Sequence, residues 1–264
     1  MRGTRLDVAL VERGLFPTRE QARAAILAGE VRVDGVVALK PGQPVSPAAT
    51  LQAAPRERYV SRGGRKLEGA LEAFGIDVRG LRAIDVGAST GGFTDCLLKH
   101  GAASVVALDV GYGQLAWSLR TDERVTVIER TNVRTADPLR LGAPFDLVVC
   151  DVSFISLTTV LPRLIELAGA NGQVLALVKP QFEVGKGRLG KKGVVRDPDL
   201  HREVLERVVA AVTETGWVVR GVTFSPLKGP EGNVEFWVWA AADGEPTDVR
   251  PTDVVAEAHR RLGE

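Results

Sequence analysis

From residue 59 onward the chain alternates short apolar runs with stretches whose apolar residues recur every three or four positions. The runs at 81–86, 104–110, 125–128, 145–150 and 173–178 have the length and composition of buried strands. Between them, helical spacing appears in Leu67, Ala70, Leu71 and Phe74, in Phe93, Cys96 and Leu97, and over residues 158–168. Asp197-Pro198 opens a longer helix with Val204, Leu205, Val208, Val209 and Val212 inside, the Asp as cap and the Pro in the first turn. Residues 217–224 and 233–241 read as a hairpin closing a sheet edge, and 253–262 as a terminal helix. Strands alternating with helices predict an α/β layer structure around a mostly parallel sheet.

The first 58 residues follow another pattern. Leu6, Ala9 and Leu10 share a helical face, closed by Gly14. Thr18-Arg19-Glu20-Gln21 is a capping-box pattern that opens a second helix, with Ala22, Ala25 and Ile26 as its buried stripe. Val31-Arg32-Val33, Asp34-Gly35 and Val36-Val37 spell strand, turn and strand. Residues 41–58, rich in Pro, Ala, Gln and Ser, fit a linker or the last part of this small α+β unit. The expected organisation is therefore a small domain over 1–58 and a large one over 59–264.

Composition changes this picture in one respect. The formal net charge of +1 is the balance of two unequal parts. Residues 1–66 hold 12 Lys and Arg against 6 Asp and Glu, and the remainder holds 22 against 27. A basic module on a mildly acidic body suggests that the small part meets phosphates. No apolar run approaches a membrane span, and no secretory leader is evident at the start, so a cytoplasmic protein without membrane contact is expected. The two cysteines, Cys96 and Cys150, read as reduced and buried. The three histidines, His100, His201 and His259, are scattered along the sequence, and no metal is expected.

Candidate chemistry centres on residues 81–98. A strand carrying Asp85 breaks into Gly87-Ala88-Ser89-Thr90-Gly91-Gly92, and a helix begins at Phe93. Such a corner lets backbone approach a ligand and offers helix N–H groups. The spacing is not the G-x-G-x-x-G of dinucleotide sites. It resembles the first motif of S-adenosylmethionine-dependent methyltransferases, which implies cofactor contacts from Asp85, Gly87, Ala88, Ser89, Gly91, Gly92 and Phe93. Asp109, at the end of the next strand, is placed to accept hydrogen bonds from a ribose diol. Asn132 falls where such enzymes often carry the group that reads the adenine amine. After the fourth strand stands Asp151-Val152-Ser153-Phe154, without the paired prolines typical of amine methylation. Cys150 faces away from Asp151, so a cysteine-based carbon methylation is not expected.

The N-terminal order RLD…TREQARAAILAGEVRVDG…KPG resembles the S4 RNA-binding domain. Arg5, Arg19, Arg23, Arg32 and Lys40 are its candidate phosphate contacts. Nearly end to end, DVGASTGGFTD…LDVGYGQLAWSLR…CDVSFISL…LVKPQFEVGKG…GNVEFW resembles the TlyA family of ribosomal RNA 2′-O-methyltransferases, some of which carry a haemolysin name. The resemblance implies a Rossmann-like seven-stranded methyltransferase sheet of FtsJ type behind the S4 domain. It also implies a Lys-Asp-Lys-Glu tetrad, here Lys66, Asp151, Lys179 and Glu235. In such a tetrad Lys179 acts either as base or as electrostatic stabiliser of the ribose oxygen, and the sequence leaves that choice open. Implied partners are ribosomal RNA or ribosomal subunits, with cytidine of 23S RNA as acceptor and 16S RNA as a further one. No obligate protein partner is expected, and the chain is read as a monomer. The glycine-rich basic loop at 183–196 reads either as a surface loop or as a lid over RNA. Competing readings are a non-catalytic S4 assembly factor, a membrane-lytic protein, a pseudouridine synthase suggested by Arg5-Leu6-Asp7, and an NAD-dependent oxidoreductase. The intact glycine corner, the tetrad positions and the lack of a membrane stripe weigh against them.

Overall fold

In a computed structural model of the chain, residues 3–54, 58–185, 187–190 and 193–263 are described. The chain divides into two compact units, Met1–Glu57 and Arg58–Glu264.

In the first unit, β1 (Thr4–Arg5) runs into α1 (Leu6–Glu12), followed by α2 (Arg19–Leu27), β2 (Val31–Val33), β3 (Val36–Val37), β4 (Pro44–Val45) and β5 (Leu51–Ala53). The Thr18 hydroxyl accepts the Gln21 N–H and so starts α2 as its capping pattern predicts. The β2–β3 turn has Asp34 and Gly35 both at positive φ, the backbone that Asp-Gly favours in two-residue hairpins. Residues 41–58 do more than link: β4 pairs with β1, and β5 adds a third strand beside β2. Leu6, Leu10, Phe16, Ala22, Ile26 and Val31 form this unit's own core.

The second unit opens with α3 (Gly63–Phe74), then β6 (Arg82–Val86), α4 (Gly92–Lys99), β7 (Ser104–Leu108), α5 (Trp117–Arg120), β8 (Val125–Ile128), α6 (Pro138–Leu141) and β9 (Leu147–Cys150). It continues through α7 (Leu157–Ala168), β10 (Gln173–Val178), α8 (Pro180–Glu183), α9 (Pro198–Glu214), β11 (Val218–Phe224), β12 (Phe236–Ala241) and α10 (Pro251–Leu262). Seven strands form one sheet in the order β11-β12-β10-β9-β6-β7-β8. The pairs from β10 to β8 are parallel, and β12 is antiparallel to both β10 and β11. This is the Rossmann-like methyltransferase sheet that the resemblance implied. The strands start within a few residues of their expected limits, because the apolar runs are buried on both faces.

The order matters for function. From β6 the chain winds outward through β7 and β8, then returns to β9 on the other side of β6. That reversal opens a crevice at the carboxyl ends of β6 and β9, where ligands bind in open α/β sheets. The histidines require a correction to the sequence reading. Because α9 and α10 pack side by side, His201 and His259 meet, with Nδ1 of the first 2.9 Å from Nε2 of the second.

Candidate active site

The corner after β6 is built by left-handed backbone. Gly87, Ser89 and Gly91 have φ of 88°, 49° and 97°. A side chain on Gly87 would lie 2.6 Å from the Asp151 carbonyl, so glycine lets the first turn of the crevice touch the end of β9. Gly91 and Gly92 also lie close against neighbouring elements. A Cβ on Gly91 would strike Leu119 and Leu115, and one on Gly92 would strike the Ser61 hydroxyl and the Gly64 nitrogen. Phe93 is buried with its ring 5.4 Å from that of Trp237, an anchor of α4 in the core.

A cavity of about 520 Å³ occupies the crevice. Gly87, Ser89, Asp109, Asn132 and Asp151 line it, together with Gln114, Ser153 and Phe154, which were not among the expected contact residues. A second recess of about 240 Å³ continues past the glycine corner, lined by Ala88, Gly92, Phe93, Lys66, Arg62 and Asp151 among others. Both carboxylate oxygens of Asp109 accept backbone N–H groups, from Ser89 at 2.7 Å and Gly111 at 2.6 Å. The residue thereby ties the corner to the loop after β7, and it lines the cavity with further acceptor capacity on its oxygens. Asn132 accepts the Arg134 N–H through its side-chain oxygen and keeps its NH₂ donors. Asp85 lies beneath the corner, fully buried, one oxygen accepting the Thr94 N–H and hydroxyl. Its other oxygen has no partner among the described residues. Burial pushes this carboxyl up to about 7 against the pull of those Thr94 bonds.

The four tetrad positions converge at the carboxyl edge of the sheet. Asp151 follows β9 directly, and its N–H bonds the Val86 carbonyl of β6. Lys179 follows β10, and the register Val178 opposite Phe236 brings Glu235, the residue before β12, to the same level. Glu235 thus precedes the last strand as the structure assigns it. Lys66 reaches in from the second turn of α3. Two ion pairs result, Lys66 Nζ to Glu235 Oε2 at 2.5 Å and Lys179 Nζ to Asp151 Oδ1 at 2.5 Å. Lys179 also donates to the Ser153 hydroxyl at 2.8 Å. Lys66 and Glu235 are 8% and 1% exposed, and a buried charge needs a partner. Burial raises the Glu235 carboxyl, which Lys66 partly offsets. Cys150 is buried, and desolvation lifts its thiol to about 12, so no thiolate nucleophile arises there.

Beside this edge stands Phe154, 91% exposed at φ 65°, a strained backbone for a bulky residue, with its ring 5.2 Å from Phe182. The signal that could have found it is an aromatic directly after a polar turn at a strand end. In the first unit Arg5 and Arg19 both bond the buried carboxylate of Asp7, at 3.0 and 2.9 Å. Arg32 donates to the Gly35 carbonyl of its own hairpin. Arg23 and Lys40 are exposed and form no ion pair among the described residues. Of the loop 183–196, Lys186, Lys191 and Lys192 lie outside the described residues.

Residues 59–242 match the FtsJ-like methyltransferase family, and residues 4–51 match the S4 domain. The chain is 55% identical over 240 residues to the 16S/23S rRNA (cytidine-2′-O)-methyltransferase TlyA of Mycobacterium tuberculosis, covering 90% of each chain. The chain belongs to the TlyA family of FtsJ-like methyltransferases. Another member, the 23S rRNA (cytidine-2′-O)-methyltransferase TlyA of Campylobacter jejuni, is 41% identical over 184 residues, 69% of this chain and 71% of that one. A solved structure from Streptococcus thermophilus, named as a hemolysin, superposes with a TM-score of 0.76 at 43% identity, covering 99% of this chain and 98% of that one. The family carries both names. Among the described residues no helix is long and apolar enough to cross a membrane.

Proposed function

We propose that this chain methylates the ribose 2′-hydroxyl of a cytidine in ribosomal RNA, with S-adenosylmethionine as donor and Lys66, Asp151, Lys179 and Glu235 acting at the acceptor oxygen. The observation that carries this is the pair of lysine–carboxylate bridges at the carboxyl edge of the sheet, beside the cavity at the strand reversal. The names of the relatives supply the acceptor class, 16S and 23S RNA in one case and 23S alone in another. We take 23S RNA as the substrate and 16S RNA as the second. On this reading the protein is cytoplasmic and works as a monomer.

The cavity residues suit the donor. Asp109, which lines the cavity, suits a ribose diol, and Asp85 supports the glycine corner from beneath through its bonds to Thr94. The Asn132 amide suits the adenine edge. When bound, the cofactor supplies an electrophilic methyl group. The protein's task is then to hold a poorly nucleophilic hydroxyl in line and manage its proton. Lys179 donates a hydrogen bond to the Ser153 hydroxyl and forms an ion pair with Asp151. Its ammonium group is left to serve the acceptor oxygen, where negative charge develops. Asp151 and Ser153 fix the orientation of Lys179, while the Lys66–Glu235 pair closes the network from the side of α3.

Lys179→Ala is expected to abolish methylation, a loss of at least about a hundredfold for a residue of this kind. Affinity for S-adenosylmethionine should stay within a few fold. Mapping 2′-O-methyl sites in ribosomal RNA from a deletion strain, complemented with parent or variant, reads both the acceptor and the residue. Full methylation by the variant removes Lys179 from the mechanism.

A further inference from the structure

We propose that His201 is a positioning residue for Glu235, joining the C-terminal helix to the turn that carries this acid. The proposal rests on the tetrad reading above.

Glu235 is bracketed in sequence by Asn233 and Phe236, and both lead to His201. Phe236 is fully buried, and its ring meets the His201 ring edge-on at 5.3 Å. Asn233, 1% exposed, is held at both ends of its amide. Its oxygen accepts the Val195 N–H at 2.9 Å, and its nitrogen donates to the Gly193 carbonyl at 3.2 Å. The Val195 carbonyl in turn takes His201 Nε2 at 3.1 Å. A carbonyl only accepts, so Nε2 of His201 carries the proton. Nδ1 is then the acceptor, and His259 Nε2 must donate to it across 2.9 Å. The tautomers are fixed along the whole path: His259 donates to His201, His201 to Val195, and Val195 to Asn233.

The same turn is gripped a second time. Asn233 accepts the Gly229 N–H through its backbone carbonyl, and a Cβ on Gly229 would lie 2.6 Å from Glu235 Oε1. The carboxylate therefore rests on the floor of the turn that Asn233 closes. From that turn Lys228 donates to the Gly263 carbonyl, just past α10. The helix thus holds the turn through Lys228 and through the histidine pair. None of His201, His259, Asn233 or Lys228 belongs to the tetrad. Together they hold the turn from which Glu235 reaches Lys66 at 2.5 Å.

The test uses the full-length chain. His259 sits at the outer, half-buried end of the path, so His259→Ala spares the core, whereas His201→Ala leaves a buried hole. His259→Ala is expected to lower kcat about tenfold, the scale of a small misplacement at a reacting centre, at unchanged KM for S-adenosylmethionine and RNA. His259→Gln, which restores a donor, should recover most of the loss. In the Glu235→Gln background, His259→Ala should have little further effect, since its action passes through the acid. A kcat within twofold of parent for His259→Ala, a change in KM alone, or multiplicative losses in the double variant overturn the proposal. Parental kcat for Glu235→Gln itself overturns the tetrad reading of that residue, and the positioning role with it. A slow Glu235→Gln beside a fast His259→Ala overturns the positioning role alone.

Discussion

Asp85 shows how a buried acid costs the fold stability. Its carboxyl keeps its proton to about pH 7 when folded because burial disfavours the charge. Unfolded, it releases the proton near 3.8. Between those values the folded state binds more protons, so Asp85 costs nothing below pH 4 and removes stability as pH rises to 7. His201 works the other way. Burial, with His259 close by, lowers it to about 4, so stability is lost as pH falls from 6.5 toward 4. The two partly cancel in mildly acidic solution, and only variants separate them. Without cofactor, Asp85→Asn should gain on the parent by a few kcal/mol between pH 4 and 8, at about 1.4 kcal/mol for each pH unit crossed between the unfolded and folded titrations. Urea melts at the two pH values read this difference, and parallel curves for parent and variant refute it. That Asp85 is a buried acid was legible from its place inside an apolar strand. That Lys66 is buried was not, since its partner Glu235 lies 169 residues away and helical periodicity says nothing of such pairing.

At the scale of elements, the glycine corner carries two functions that one motif does not distinguish. Gly87 belongs to the crevice, while Gly91 and Gly92 let α4 start against α5 and α3. Gly92→Ala would bring a methyl within 2.3 Å of the Ser61 hydroxyl and 2.8 Å of the Gly64 nitrogen, and the second is backbone that does not swing aside. A loss of about 1–3 kcal/mol is expected, as for other overpacked sites. Thermal melts should show it as a fall of several degrees, at about 2–4 °C per kcal/mol for a unit of this size. An unchanged melting temperature would mean that α3 and α4 part more easily than their contact suggests. Strand limits were readable because buried parallel strands announce themselves as apolar runs. The meeting of His201 and His259 was not, because it follows from α9 packing on α10, and the residues are 58 apart in sequence.

For the whole molecule, the charge imbalance between the first 66 residues and the rest becomes more specific once partners are known. Arg5 and Arg19 are committed to Asp7, whose carboxyl they hold down at about 2, chiefly through the Arg5 hydrogen bonds. Substituting either leaves a buried acid short of a partner, so weaker RNA binding by such a variant would mix folding with recognition. Arg23 and Lys40 are free of this ambiguity. If the S4 unit follows a phosphate backbone, Arg23→Ala and Lys40→Ala should each weaken RNA binding and reduce the salt slope of log affinity by about 1. Deleting residues 1–57 should remove most of that slope while S-adenosylmethionine affinity stays within a few fold, since the cavity and the tetrad are built from the second unit. Titrations of ribosomal RNA at several salt concentrations, paired with cofactor binding by calorimetry, separate the two. A truncated chain with parental RNA affinity and slope would move recognition onto the methyltransferase unit. Arginines such as Arg130, stacked 4.1 Å over the exposed Tyr112 ring, would then be the next to substitute.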